Sequence, residues 1–199
     1  MWSCKPNNAW KNHLFEASKN PGWMEKSRNI SDKLPLSQRE LYALIILAHL
    51  QNEVSNSNFW HVGYDPNSPE PNDGLICAGK DKINVEHKLV PQMADDDVLK
   101  VILDTYEKYA KRGEAYGSGR TLVIFGNKKT QGLIKISNLR DKICGKSPFD
   151  RVLLMHAVTQ GENNIIPIHI TEHFPGFGIA QVDFNLLTGE ANVPYYGIK

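Results

Sequence analysis

The run Ile83-Asn84-Val85-Glu86-His87-Lys88-Leu89-Val90 constrains the fold more than any other stretch of the chain. It is β-branched, apolar and alternating, which predicts a strand. Successive side chains of a strand take opposite faces. Asn84, Glu86, Lys88 and Val90 therefore share one face, and Ile83, Val85, His87 and Leu89 share the other. Upstream, Leu75-Ile76-Cys77-Ala78 predicts a partner strand, joined through a hairpin turn at Gly79-Lys80-Asp81. Asp73, in Pro71-Asn72-Asp73-Gly74, stands at the mouth of that partner. Pairing the two strands brings Asp73 to the end of the sheet that holds Glu86 and Lys88.

The elements around this hairpin follow from local signals. Ser37-Gln38-Arg39-Glu40 is an S-x-x-E capping box, with Leu36 and Leu41 at the flanking staple positions. The helix it opens runs to about residue 53 and is apolar nearly all round, so it is expected to be buried. Residues 59–64 predict a first strand, followed by a loop full of turn formers. Asp95-Asp96-Asp97 opens a second helix, with acids at the positive end of its dipole. Its apolar stripe is Val98, Leu99, Ile102, Leu103, Tyr106, Tyr109 and Ala110, and it ends near Gly113. Residues 121–125 predict a fourth strand. Further on come a short helix at 137–144 and strands at 152–158, 165–171 and 177–184.

The expected fold class is α/β, with a central mixed sheet flanked by helices, an αβββαβ core and extra C-terminal strands. Residues 1–35 are expected as an N-terminal arm with a short helix at 9–18. Its Trp2, Trp10 and Trp23 suit packing onto the body first, and base stacking or a dimer contact otherwise. Residues 36–199 are expected as one domain, with a core at 37–126 and an extension at 127–199.

Composition narrows the class. The chain has 199 residues, 41% hydrophobic and 23% charged, which suits a globular domain with a sizeable core. No apolar run approaches the ~20 residues of a membrane helix. The start, Met1-Trp2-Ser3-Cys4-Lys5-Pro6, lacks the apolar stretch of a secretory signal. Cys4, Cys77 and Cys144 are too few and too scattered for a disulfide framework or a CxxC zinc site. A reduced, cytoplasmic protein is expected. The net charge of +1 hides an asymmetry: residues 108–151 carry eleven basic and three acidic residues. Such a basic segment can form a face that attracts phosphates, or a solvated surface neutralised by neighbours.

Two carboxylates at one sheet end, with waters and a main-chain carbonyl, suit Mg²⁺ or Mn²⁺. A neighbouring lysine can hold the attacking water or stabilise charge developing on a phosphate. An acid, a second acid and a lysine two residues on, placed on these strands, resemble the PD-(D/E)XK nuclease superfamily of restriction-endonuclease-like fold. The resemblance rests on Asp73, on Glu86-His87-Lys88 and on the αβββαβ order, and spans roughly 37–125. It implies that Asp73 and Glu86 bind the metal with the His87 carbonyl, and that Lys88 assists the water. Arg39-Glu40-Leu41 resembles the R-E-L start of resolvase-like members, which implies a metal-linked role for Glu40. That role competes with the capping box, and Glu53 is a weaker substitute. The chain departs from the usual pattern in placing Asn72 between the proline and the first acid.

The activity so implied is Mg²⁺-dependent hydrolysis of DNA phosphodiesters, an endonuclease before an exonuclease, with homodimers common in the family. The alternative is an inactive nucleic-acid- or protein-binding module on the same fold. Arg112, Arg120, Lys128, Lys129 and Gln92 are the candidate nucleic-acid contacts. His169-Ile170-Thr171-Glu172-His173 matches the H-x-x-E-H zinc pattern but lies in a β-branched run. A strand would hold those histidines ~13 Å apart at ~3.3 Å per residue, too far for one zinc ion. Gly117-Ser118-Gly119-Arg120 precedes a strand and not the helix a phosphate loop needs.

Overall fold

A computed structural model describes the chain except for residues 21–22, 24–28, 32–33, 68–72, 91–97, 127–135, 144–145, 158–161 and 198–199. The expected hairpin is present as β5 (Leu75–Ala78) and β6 (Asp81–Leu89), turning at Gly79 and Lys80. It sits inside a much larger sheet than the sequence suggested. β4 (His61–Tyr64) pairs with β5, and β1 (Trp2–Cys4) pairs with β4 at one edge. β7 (Arg120–Gly126), β8 (Arg151–Ala157), β9 (Ile165–Phe174), β10 (Gly178–Asn185) and β11 (Ala191–Tyr196) continue the other side. The nine-stranded order is β1-β4-β5-β6-β7-β8-β9-β10-β11. β6, β7 and β8 run parallel, and every other neighbouring pair is antiparallel. A separate two-stranded ribbon joins β2 (Asn29–Ser31) to β3 (Leu34–Ser37). The protein is thus a mixed α/β fold with a large, mostly antiparallel sheet.

Helices cover both sheet faces. On one lies α3 (Gln38–Val54), opened by the capping box the sequence predicts: Glu40 N–H donates to Ser37 Oγ, and Ser37 N–H donates to the Glu40 carboxylate. Residues 41–48 of α3 are all buried, because the helix packs on the sheet and is covered in turn by the N-terminal segment. That segment runs as α1 (Pro6–Ala9), a π-helical turn (Trp10–Leu14) and α2 (Phe15–Ser18). The residues expected as an arm are therefore built into the body. Trp10 is fully buried, its indole N–H donates to the Leu186 carbonyl at 2.9 Å, and its ring meets Phe184 edge-on. Gly189 lies under this indole, where a Cβ would stand 2.6 Å from the ring, so only glycine fits.

The opposite face carries α4 (Val98–Ala110) and α6 (Ile136–Ile143) over Leu122, Ile124, Val152 and Leu154. Two apolar layers thus sandwich the parallel strands, as expected for strands buried on both sides. Val85 belongs to the α3 layer and Val90 to the α4 layer. The alternation of β6 therefore holds, and Glu86 and Lys88 lie on the α4 side.

Candidate functional site

The first question for the site is how Asp73 reaches Glu86 and Lys88. Pairing of β5 with β6 does not stop cleanly at Leu75. Val85 N–H donates to the Gly74 carbonyl at 2.9 Å, and Asp73 N–H donates to the Val85 carbonyl at 3.1 Å. Two consecutive residues thus face one, the hydrogen-bond signature of a bulge, which re-aims a side chain and ends the pairing. Gly74 makes this possible. Its φ is +134°, and a Cβ there would collide with Leu44 of α3. The next main-chain donor of β6, His87 N–H, is taken by Asp73 Oδ2 at 2.8 Å. A carboxylate side chain replaces the missing strand.

From this anchored position Asp73 meets the other two residues. Lys88 Nζ lies 2.9 Å from Asp73 Oδ2 and 2.6 Å from Glu86 Oε1. Both carboxylates converge on one ammonium. Arg120 Nη1 stands 3.6 Å from Glu86 Oε2, because the parallel register sets Arg120 beside Asn84 on the same face. Burial pulls the Lys88 pKa down, but the charges and hydrogen bonds of Asp73 and Glu86 outweigh it and hold the ammonium above its ordinary range. Side-chain exposure is 6% for Glu86, 18% for Lys88 and 24% for Asp73. Drawing such charges out of water stabilises a fold little, since desolvation offsets the attraction. Partly buried charge clusters of this kind mark candidate functional sites.

Around the cluster stand two tyrosines. Lys88 Nζ lies over the ring of Tyr109, and Arg112 and Arg120 lie over the ring of Tyr116. Burial, reinforced by hydrogen bonding and charge from Glu86, pushes the Tyr116 phenol up to about 12. On the other face of β6 the His87 ring is buried against Phe125, and its ring nitrogens find no partner among the described residues. Burial first, then the charges of Arg39 and Lys88, lowers its pKa to about 3, so the ring is neutral.

The sequence-derived candidates are distributed as follows. Asp73, Glu86 and Lys88 come together. Glu40 keeps its place in the capping box; burial raises its pKa, and the Asp73 charge adds to the rise, so it borders the cluster without joining the ion pairs. Arg120, expected at a phosphate, is 5% exposed and turned onto Glu86. Arg112 is exposed at the end of α4. Lys128, Lys129 and Gln92 fall outside the described residues. His169 and His173 lie on β9, a strand, as their β-branched surroundings predict. Tyr116 was missed, and Tyr109 was read only as part of an apolar stripe. No helical spacing could have grouped them: Tyr109 lies at the end of α4, and Gly113 (φ +79°) breaks the helix before Tyr116.

The donors suit a hard divalent ion: two carboxylates and a main-chain carbonyl. The N–H and C=O of one strand residue point to the same side. The His87 carbonyl therefore faces the side on which its N–H meets Asp73. Among the described residues no group of three His, Cys, Asp or Glu side chains is arranged to hold a metal. Water would have to complete the coordination, as it commonly does for Mg²⁺.

Comparison of the chain with protein-family models, with curated proteins and with solved structures finds no match.

Proposed function

We propose that the protein is a metal-dependent nuclease that hydrolyses DNA phosphodiester bonds at the Asp73, Glu86 and Lys88 cluster. The observation that carries this is the convergence of both carboxylates on the Lys88 ammonium at one end of the β5–β6 hairpin. The element order α3-β4-β5-β6-α4-β7, with the one-turn α5 (Glu114–Gly117) before β7, supports a restriction-endonuclease-like core. The nine-stranded sheet extends well beyond such a core.

In this reading Asp73 and Glu86, with the His87 carbonyl, hold one Mg²⁺ or Mn²⁺ ion. When bound, the ion polarises the phosphodiester and acidifies the attacking water. Asp73 is held in place by the His87 N–H, which fixes it at the strand end. Glu86 is held by Lys88 and Arg120. Were a cation to take the place of Lys88 between the two carboxylates, the Lys88 N–H donors would be free to serve the attacking water and the charge growing on the phosphate. Arg120, beside Glu86 Oε2, would keep that carboxylate oriented.

A second reading takes its support from the same contacts. Lys88 already neutralises both acids, which suits an inactive binding module that needs no metal. Incubation with plasmid, linear and single-stranded DNA plus Mg²⁺ or Mn²⁺, alongside Lys88→Ala, separates the two. Cleavage that disappears in the variant is the expected result. Equal cleavage by both proteins removes the assignment, and tight binding without cleavage favours the module.

A further inference from the structure

We propose that Arg112 grips a second phosphate of the substrate strand, near the one attacked, so that the substrate is a polynucleotide and not an isolated phosphodiester. The inference rests on the nuclease reading above and deepens it.

Arg112 lies two residues past the end of α4, and its main-chain N–H donates to the Tyr109 carbonyl at 3.1 Å. Its guanidinium carbon lies 4.9 Å from the Tyr109 ring centroid and 4.7 Å from that of Tyr116. Two aromatic rings thus hold an exposed side chain that would otherwise sample many rotamers. A guanidinium that meets a ring by its flat face keeps its in-plane N–H fork available, the edge that recognises phosphate bidentately. Arg112 forms no ion pair with a carboxylate among the described residues. Arg120 and Lys88, by contrast, have their charges directed to Glu86 and Asp73.

The same rings tie Arg112 to the reacting centre. Lys88 Nζ also lies 4.9 Å from the Tyr109 centroid, so Arg112 and Lys88 stand no more than about 10 Å apart. Successive phosphates of a strand advance about 3.4 Å along the helix axis. A strand with one phosphate at Lys88 therefore places a nearby phosphate within reach of Arg112. A diester with a single phosphate has nothing to offer it.

The test compares Arg112→Ala, Arg112→Lys and Lys88→Ala on a DNA oligonucleotide and on bis(para-nitrophenyl) phosphate, both with Mn²⁺. Arg112→Ala is expected to cost the oligonucleotide about tenfold more in kcat/KM than it costs the one-phosphate diester, chiefly through KM. It is expected to flatten the salt dependence of DNA binding by about one unit of slope. Arg112→Lys recovers little, because an ammonium lacks the planar fork. Equal losses on both substrates, or full rescue by lysine, overturn the stacked phosphate clamp. An unchanged oligonucleotide KM in Arg112→Ala, with Lys88→Ala inactive, overturns it while leaving the nuclease reading intact. Undiminished cleavage by Lys88→Ala removes the nuclease reading and the clamp with it.

Discussion

At the residue scale, Lys88 governs what Asp73 and Glu86 can do. Its ammonium occupies the space between two carboxylates that a divalent ion would share. If the proposed reaction holds, removing it takes away a donor to the reacting phosphate and a competitor of the metal at once. Lys88→Ala is expected to lose about 10²–10³-fold in kcat, the usual consequence of deleting one transition-state donor. The same variant is expected to gain more in Tm on adding Mg²⁺ than the wild type does, because ligand binding stabilises the folded state. Thermal unfolding with and without Mg²⁺ measures this, and a smaller gain in the variant speaks against a shared cation position. Away from the cluster, His173 is fully buried, and burial lowers its pKa to about 4. Its unfolded form takes up a proton below pH ~6.5 and its folded form does not. Stability from this group is therefore present above pH 6.5 and lost as pH falls towards 4, at about 1.4 kcal/mol per pH unit. Urea unfolding at pH 5, 6 and 7 should show a shallower acid decline in His173→Leu, and identical slopes would contradict the assignment.

At the element scale, the bulge between β5 and β6 is what builds the site. Gly74 permits two residues to face Val85, and the following His87 N–H then selects the Asp73 carboxylate. Gly74→Ala meets both a positive φ and the Leu44 side chain. It is expected to cost roughly 1–3 kcal/mol of stability and to lower activity by displacing Asp73. Denaturant unfolding and a cleavage assay on one preparation check both parts, and a wild-type midpoint would show that the turn tolerates a side chain. This bulge also marks what the sequence could reveal. The alternation of Ile83 to Val90 was enough to place Glu86 and Lys88 on one face, since period-two patterning fixes orientation. The capping box at Ser37 and Glu40 was equally legible, because it is a local motif. The bulge was not, since it depends on pairing between chain segments. The pairing of Arg120 with Glu86 was illegible for a related reason: the two are distant in sequence, and only the parallel register of β6 and β7 brings them together.

At the scale of the whole molecule, the sheet's breadth is the main departure from expectation. β1 and β11 went unread because each is short and lacks a clean alternating pattern; β11 contains Pro194 and is mostly exposed. The N-terminal residues read as an arm because a polar stretch of little periodicity shows that its tryptophans suit packing but not which residues they pack against. In the structure Trp10 is enclosed by Trp23, Tyr42 and Phe184. Trp10→Ala is expected to cost about 3–5 kcal/mol, far more than a loosely attached arm would allow. Chemical denaturation would show it as a lower midpoint, and an unchanged midpoint would restore the arm. No helix among the described residues is long and apolar enough to cross a membrane. Two apolar layers close over the parallel strands, and the acids and lysine gather at the hairpin end.

The central claim is that Asp73 and Glu86 share one divalent cation. A crystal structure of the protein soaked in Mn²⁺ tests it most directly. The account predicts a single ion within ~2.0–2.2 Å of a carboxylate oxygen from each residue and close to the His87 carbonyl, with Lys88 moved off both acids. An ion bound elsewhere, or these carboxylates still closed on Lys88 at saturating Mn²⁺, would contradict it.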